Sequence, residues 1–157
     1  MIILGIDPGT SLIGYGFIDY SKKGYTSGSY GVFKTPASIE NKYRVKMIYD
    51  FFYKLIKNHR PQKIAIEKIF FFKNQKTVIS VSEIRGVLLL LGSLLGVEIF
   101  EFTPLQVKQQ ISGYGKADKK QVQKMVQLVL GLKEPPRPDD AADSLALAIC
   151  CSNTVLY

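Results

Sequence analysis

The order in which two hydrophobic periods follow one another constrains this chain more than any other feature. It opens on strand-type runs alone: a continuous apolar run over Ile2–Ile6, a glycine-containing run over Ile13–Asp19 and a third run over Tyr25–Phe33. Turn signals at Pro8-Gly9-Thr10-Ser11 and Ser21-Lys22-Lys23-Gly24 separate them, which predicts an antiparallel meander. The period then lengthens. Val45, Ile48, Phe52, Leu55 and Ile56 make one face of a helix over Glu40–His59, stopped by Pro61. Beyond it the pattern alternates: a strand over Ile64–Glu67, a loop over Phe70–Lys76, a helix over Thr77–Leu95 and a strand over Val97–Phe102. Thr103 N-caps the next helix with Pro104 in first position, and Gly113-Tyr114-Gly115 breaks it. Asp118 N-caps another, with Val122, Met125, Val126 and Val129 on one face. A proline-rich connector, Glu134–Pro138, leads to a last helix from about Asp139 to Ser152. This order predicts an α/β fold: a five-stranded mixed sheet, antiparallel meander plus parallel strands, with helices on both faces. With 157 residues and neither linker nor repeat, the expectation is a single domain over residues 1–157.

Charge and cysteine usage narrow the function. The chain carries 21 Lys and Arg against 13 Asp and Glu, a formal +8, which points to a polyanionic partner, nucleic acid before anionic membrane. One histidine, His59, and two adjacent cysteines, Cys150 and Cys151, exclude zinc fingers and disulfide scaffolds. The apolar start meets Asp7 at once and lacks a basic n-region, so no secretory signal is read there. The run around Val87–Leu91 falls short of a spanning segment. The expectation is a soluble cytoplasmic protein with no membrane partner, its cysteines reduced and packed.

The acids carry the chemistry. Asp7 ends the first strand and Glu67 the fourth, each after a run that should be buried, where an unpaired carboxylate is costly. Asp140 and Asp143, three apart at the start of the last helix, share a face with small alanines between them. Taken singly, each has an ordinary explanation: Asp7 braces a turn, Asp139 and Asp140 cap a helix and complement its dipole, and Asp143 is an exposed charge. Taken together, they converge if the first and fourth strands are neighbours, and their repulsion then calls for cations. Carboxylates without His or Cys suit hard, oxygen-seeking ions, Mg²⁺ or Mn²⁺.

Several motifs resemble one family. These are Ile3-Leu4-Gly5-Ile6-Asp7-Pro8-Gly9-Thr10-Ser11 followed by Gly14-Tyr15-Gly16, then Ala65-Ile66-Glu67-Lys68-Ile69-Phe70 and Gln106-Val107-Lys108-Gln109. Gly113, Gly115, Ala117, Lys119, Gln121 and Val122 follow, then Asp140-Ala141-Ala142-Asp143-Ser144-Leu145-Ala146. In this order they are similar to RuvC, the bacterial Holliday-junction resolvases of the RNase H-like superfamily. The resemblance covers nearly the whole chain. It implies a homodimeric, Mg²⁺-dependent endonuclease that makes paired symmetric nicks in four-way junction DNA during recombination and repair, with a branch-migration motor as a further partner. It also implies Asp7, Glu67, Asp140 and Asp143 as catalytic, metal-holding acids. Relatives can carry His at the third position, where this chain has Asp140. Asp139 is an extra acid, assigned to capping. Phosphodiester hydrolysis independently favours two ions ~3.5–4 Å apart, one activating water and one supporting the leaving oxygen; Mn²⁺ should substitute for Mg²⁺.

Basic and aromatic residues supply the expected DNA contacts. Lys119 and Lys120 occupy the first turn of a helix, where cations oppose the dipole by ~0.3–1 kcal/mol each unless an anion binds there. Lys116 precedes them, and Lys108 matches the family's basic position. Phe70, Phe71 and Phe72, followed by Lys73, put aromatics among cations, a composition suited to stacking on unpaired bases. The resemblance points to Phe70 as the junction wedge, and three consecutive phenylalanines leave open which one acts. The Thr77–Leu95 helix becomes apolar all round after Gly86, a surplus that predicts a dimer interface. The alternatives are a RuvC-like nuclease acting on RNA, one half of an actin- or sugar-kinase-like ATPase with its Asp-Pro-Gly-Thr turn, and a non-catalytic DNA-binding module.

Overall fold

The structure, a computed structural model, describes residues 1–9, 11–68 and 75–154, the side chains of 75–77 excepted. Ten elements follow in chain order: β1 (Ile2–Pro8), β2 (Leu12–Ser21), β3 (Gly24–Lys34), α1 (Asn41–His59), β4 (Lys63–Glu67), α2 (Gln75–Leu95), β5 (Glu98–Phe102), α3 (Pro104–Ser112), α4 (Lys119–Val129) and α5 (Asp139–Thr154). The sheet order is β3-β2-β1-β4-β5. β1 pairs antiparallel with β2, placing Asp7 opposite Gly14, and parallel with β4, placing Ile6 opposite Ile66. The mixed sheet read from the sequence is therefore present, and β1 and β4 are the neighbours that convergence of the acids requires.

Alternation along the central strands divides the core in two. Leu4, Ile6, Ile64 and Ile66 pack with Ile48, Phe52, Ile84 and Leu88 of α1 and α2. Ile3 and Ala65 face the other way, toward Leu145, Ala146, Ala148 and Ile149 of α5 and toward α3 and α4. Asp7 and Glu67 keep the parity of Ile3 and Ala65, so the pleat turns both toward α5. Two glycines let that helix lie against the sheet. A Cβ at Gly5 would overlap the Ser144 carbonyl oxygen, and one at Gly14 would overlap that of Asp140. The small residues of α5, Ala141, Ala142, Ser144, Ala146 and Ala148, meet these positions and are buried.

Several boundaries differ from expectation. β1 runs on to Pro8, so Asp7 lies within the strand, because β2 continues to supply partners as far as Ile13. α2 starts at Gln75, inside the segment read as loop, since a polar first turn carries no hydrophobic period. Glu40 stands at the N-cap of α1 without a side-chain cap. Thr103 and Asp118 cap as read, each in a full capping box completed by Gln106 or Gln121. Val78–Leu95 of α2 has a mean hydropathy of 1.8 and, by length and composition, could cross a membrane, contrary to the expectation. One face of it packs into the core, with Val81, Ile84, Leu88 and Leu91 buried, while a stripe of Ile79, Leu90 and Leu94 stays exposed. Cys150 and Cys151 are free and buried, and burial pushes both thiols up to about 12, which leaves them unreactive.

Candidate active site

Parallel pairing of β1 and β4 carries Asp7 and Glu67 to one end of the sheet, and the first turn of α5 brings Asp140 and Asp143 over them. Their mutual influence shows in their protonation. Asp7 is pushed up to about 8, first by burial and then by the charges of Glu67, Asp143 and Asp140. Burial also raises Glu67, as does Asp143, while a hydrogen bond with the Asp7 carboxyl acts in the opposite direction. Asp143 is raised by burial, against the pull of Lys119. Carboxyls raised by burial first and by one another second, gathered at one end of a sheet, mark a candidate functional site.

Lys119 is the one cation that meets this cluster among the described residues. Its Nζ lies 3.2 Å from Asp143 Oδ2 and 3.4 Å from Asp139 Oδ2. Burial would lower its pKa, but the two carboxylates outweigh that and raise it. The Asp118 capping box fixes the start of α4 and so the direction of this side chain. Lys119, Lys108, Glu67 and Asp143 line a common cavity of about 190 Å³, floored by Val107, Val122 and Leu147. Lys116 and Lys120 are exposed and do not line it. Phe70, Phe71, Phe72 and Lys73 lie outside the described residues.

Asp139 is a correction. The sequence reading assigned it to capping, but its carboxylate turns to α4, where Oδ1 accepts from Gln123 Nε2 at 2.9 Å and Oδ2 faces Lys119. Sequence reasoning missed Gln123 altogether, because its partner lies on another helix. Arg85 of α2 pairs with Glu101 of β5 through Nε at 2.6 Å.

The donor set fits hard divalent cations. It is all carboxylate oxygen, it lacks His and Cys, and its repulsion is what dications would relieve. Among the described residues no three such side chains already close into a cage around one point, so ion binding would have to draw the acids together and displace the Lys119 ammonium from Asp143.

The chain is similar to known proteins over nearly its whole length. The family model for crossover junction endodeoxyribonuclease RuvC matches residues 3–151. A curated protein of that name from Fusobacterium nucleatum is 50% identical over 155 residues, 99% of this chain and 82% of the relative. One from Halothermothrix orenii is 47% identical over 154 residues, covering 98% and 93%. Among solved structures, Thermus thermophilus RuvC in complex with a Holliday junction substrate superposes with a TM-score of 0.89 at 31% identity, over 97% of this chain and 93% of that one.

Proposed function

This chain belongs to the RuvC family of crossover junction endodeoxyribonucleases, and on that premise we propose that it resolves four-way DNA junctions by paired symmetric nicks. The observation that carries the reading is the convergence of Asp7, Glu67, Asp140 and Asp143 at one end of the sheet, where burial first and the neighbouring acids second push Asp7 up to about 8. We assign these four as the catalytic, metal-holding acids, with two Mg²⁺ ions per site and Mn²⁺ as a substitute. When bound, such ions lower the pKa of an attacking water, offset charge on the phosphate and support the departing 3′ oxygen. The chain's own residues do the rest. Asp7 and Glu67, turned to the same side by the pleat, would hold the ions from the inner face of the site. Asp140 and Asp143, from α5, close the outer face. Lys119, at the first turn of α4, brings an ammonium to the cavity mouth where a phosphate oxygen can meet it. Lys108 stands on the same cavity from α3.

Lys116 and Lys120 are assigned to backbone phosphates beside the site, and Phe70, Phe71, Phe72 and Lys73 to the opened centre of the junction. A homodimer matches a substrate with twofold symmetry. Ile79, Leu90 and Leu94 are each more than half exposed on one stripe of α2, and a Cβ at Gly86 on that stripe would meet nothing within 4 Å. A second copy of this helix is the proposed cover. The enzyme would serve recombination and repair in the cytoplasm beside a branch-migration motor.

The test is cleavage of four-way, duplex and RNA substrates with and without Mg²⁺. Junction-selective, Mg²⁺-dependent double nicking is expected, with Asp7→Asn, Glu67→Gln, Asp140→Asn and Asp143→Asn binding junctions without cutting them. Full cleavage by Asp7→Asn, or preference for RNA, would overturn the assignment.

A further inference from the structure

Asp139 lies outside the four acids, yet it is bound to them through Lys119. Lys119 and Gln123 are one helical turn apart on α4, and Asp139 and Asp143 are one turn apart on α5. The two pairs face each other: Gln123 Nε2 donates to Asp139 Oδ1 at 2.9 Å, and Lys119 Nζ lies between Asp139 Oδ2 at 3.4 Å and Asp143 Oδ2 at 3.2 Å. Asp139 and Asp143 are like charges at i and i+4, an arrangement that is unfavourable on its own, and the ammonium between them relieves it. We propose that Asp139, anchored by Gln123, is a positioning residue that receives Lys119 when dications claim Asp143. This rests on the reading of the four acids as metal ligands.

The reasoning is electrostatic. Lys119 and a dication cannot both sit against Asp143, so the ammonium competes with metal for that carboxylate. A second carboxylate at the same reach lowers the barrier to giving it up and keeps the ammonium at the cavity mouth, where the scissile phosphate would need it. Asp139 is suited to that part. It is exposed, and the hydrogen bond from Gln123 Nε2 fixes the orientation of its carboxylate. Without it, Lys119 has Asp143 alone and obstructs the metal.

Mn²⁺ binding to the 157-residue chain, followed by electron paramagnetic resonance of the free ion, tests this. Asp139→Asn should weaken Mn²⁺ binding roughly two- to five-fold, the scale of a half-exposed ion pair, and Asp139→Glu should restore it. Lys119→Ala should tighten binding, and adding Asp139→Asn to Lys119→Ala should change nothing further. If the double variant still binds Mn²⁺ more weakly than Lys119→Ala by the same factor, Asp139 acts through its own field and the proposal fails. An unchanged Mn²⁺ affinity in Asp139→Asn also refutes it. Asp7→Asn separates the two levels: Mn²⁺ binding undiminished in that variant would remove the metal-site reading itself.

Discussion

Removing Asp7, one of the four acids proposed to hold metal, should make the metal-free protein more stable at alkaline pH. The carboxyl is shifted from an ordinary 3.8 to about 8, by burial first and the neighbouring acids second. In the unfolded chain it is ionised above about pH 5, whereas the folded chain keeps its proton until about 8. The folded state therefore binds the extra proton through this window, and stability falls as pH rises. One bound proton corresponds to about 1.4 kcal/mol per pH unit, so this single group should remove on the order of 4 kcal/mol between pH 5 and pH 8. Glu67 and Asp143, also raised, add to the same slope. Urea denaturation in a chelator at half-unit pH steps measures it. Wild type should lose stability steadily from pH 5 to pH 8, and Asp7→Asn should show a slope smaller by most of that amount and cross above wild type before pH 8. Mg²⁺ at pH 8 should stabilise wild type and leave Asp7→Asn unmoved. Parallel pH profiles for the two proteins would refute the reasoning, because they would mean that Asp7 ionises in the folded state as easily as in the unfolded one.

Lys119→Ala should flatten the dependence of junction affinity on salt by about 0.9 in log–log slope if it meets one phosphate; fluorescence anisotropy across a salt series measures this, and an unchanged slope would make Lys119 a partner of the acids alone. Gly14→Ala should destabilise the fold by on the order of 1–3 kcal/mol and impair cleavage, because the added Cβ would overlap the backbone at Asp140 rather than a yielding side chain; an unaltered denaturation midpoint would contradict the close approach of α5. Leu90→Asp with Leu94→Asp should convert a dimer into a monomer in sedimentation, with single nicks replacing paired ones; a wild-type monomer of 17.6 kDa that cuts both strands in one binding event would rule out the α2 interface.

Much of this was legible in the sequence because the relevant signals are local. The switch from strand runs to the Val45–Ile56 period, the Thr103-Pro104 start and the Asp118 cap all depend on residues within one turn of each other, and each element stands where it was read. What strand periodicity cannot carry is adjacency. Asp7 and Glu67 meet only because β4 inserts beside β1 rather than beyond β3, and neither strand contains information about its neighbour. The same holds for Asp139. A carboxylate in the first turn of a helix is well explained by the dipole, and nothing near it in the chain shows that Gln123, on another helix, takes one of its oxygens. α2 shows a further kind of loss. Its apolar residues run nearly round the helix, so the sequence marks a surplus of hydrophobic surface without saying which stripe the domain covers; packing of Val81, Ile84, Leu88 and Leu91 decides it.

The distribution of charge explains why catalysis in this protein should wait for metal and DNA together. The chain is basic overall, at +8, so its surface attracts a polyanion from any direction. At the proposed cutting site the sign reverses: four acids gather beside Lys119, and burial together with the neighbouring acids raises Asp7 to about 8. A phosphate brought to that spot meets like charge, and a dication brought there alone must displace a proton and an ammonium. Each ligand removes the obstacle to the other, since the cation cancels the acids and the phosphate offers Lys119 a new anion. Linkage then requires the effect to be mutual: whatever factor the junction adds to metal affinity, metal must add to the affinity of the cleavable phosphate. On the proposed assignment of the four acids, DNA held by the basic surface should go uncut, and the nick should be confined to a phosphate that sits in the acidic site with its cations in place.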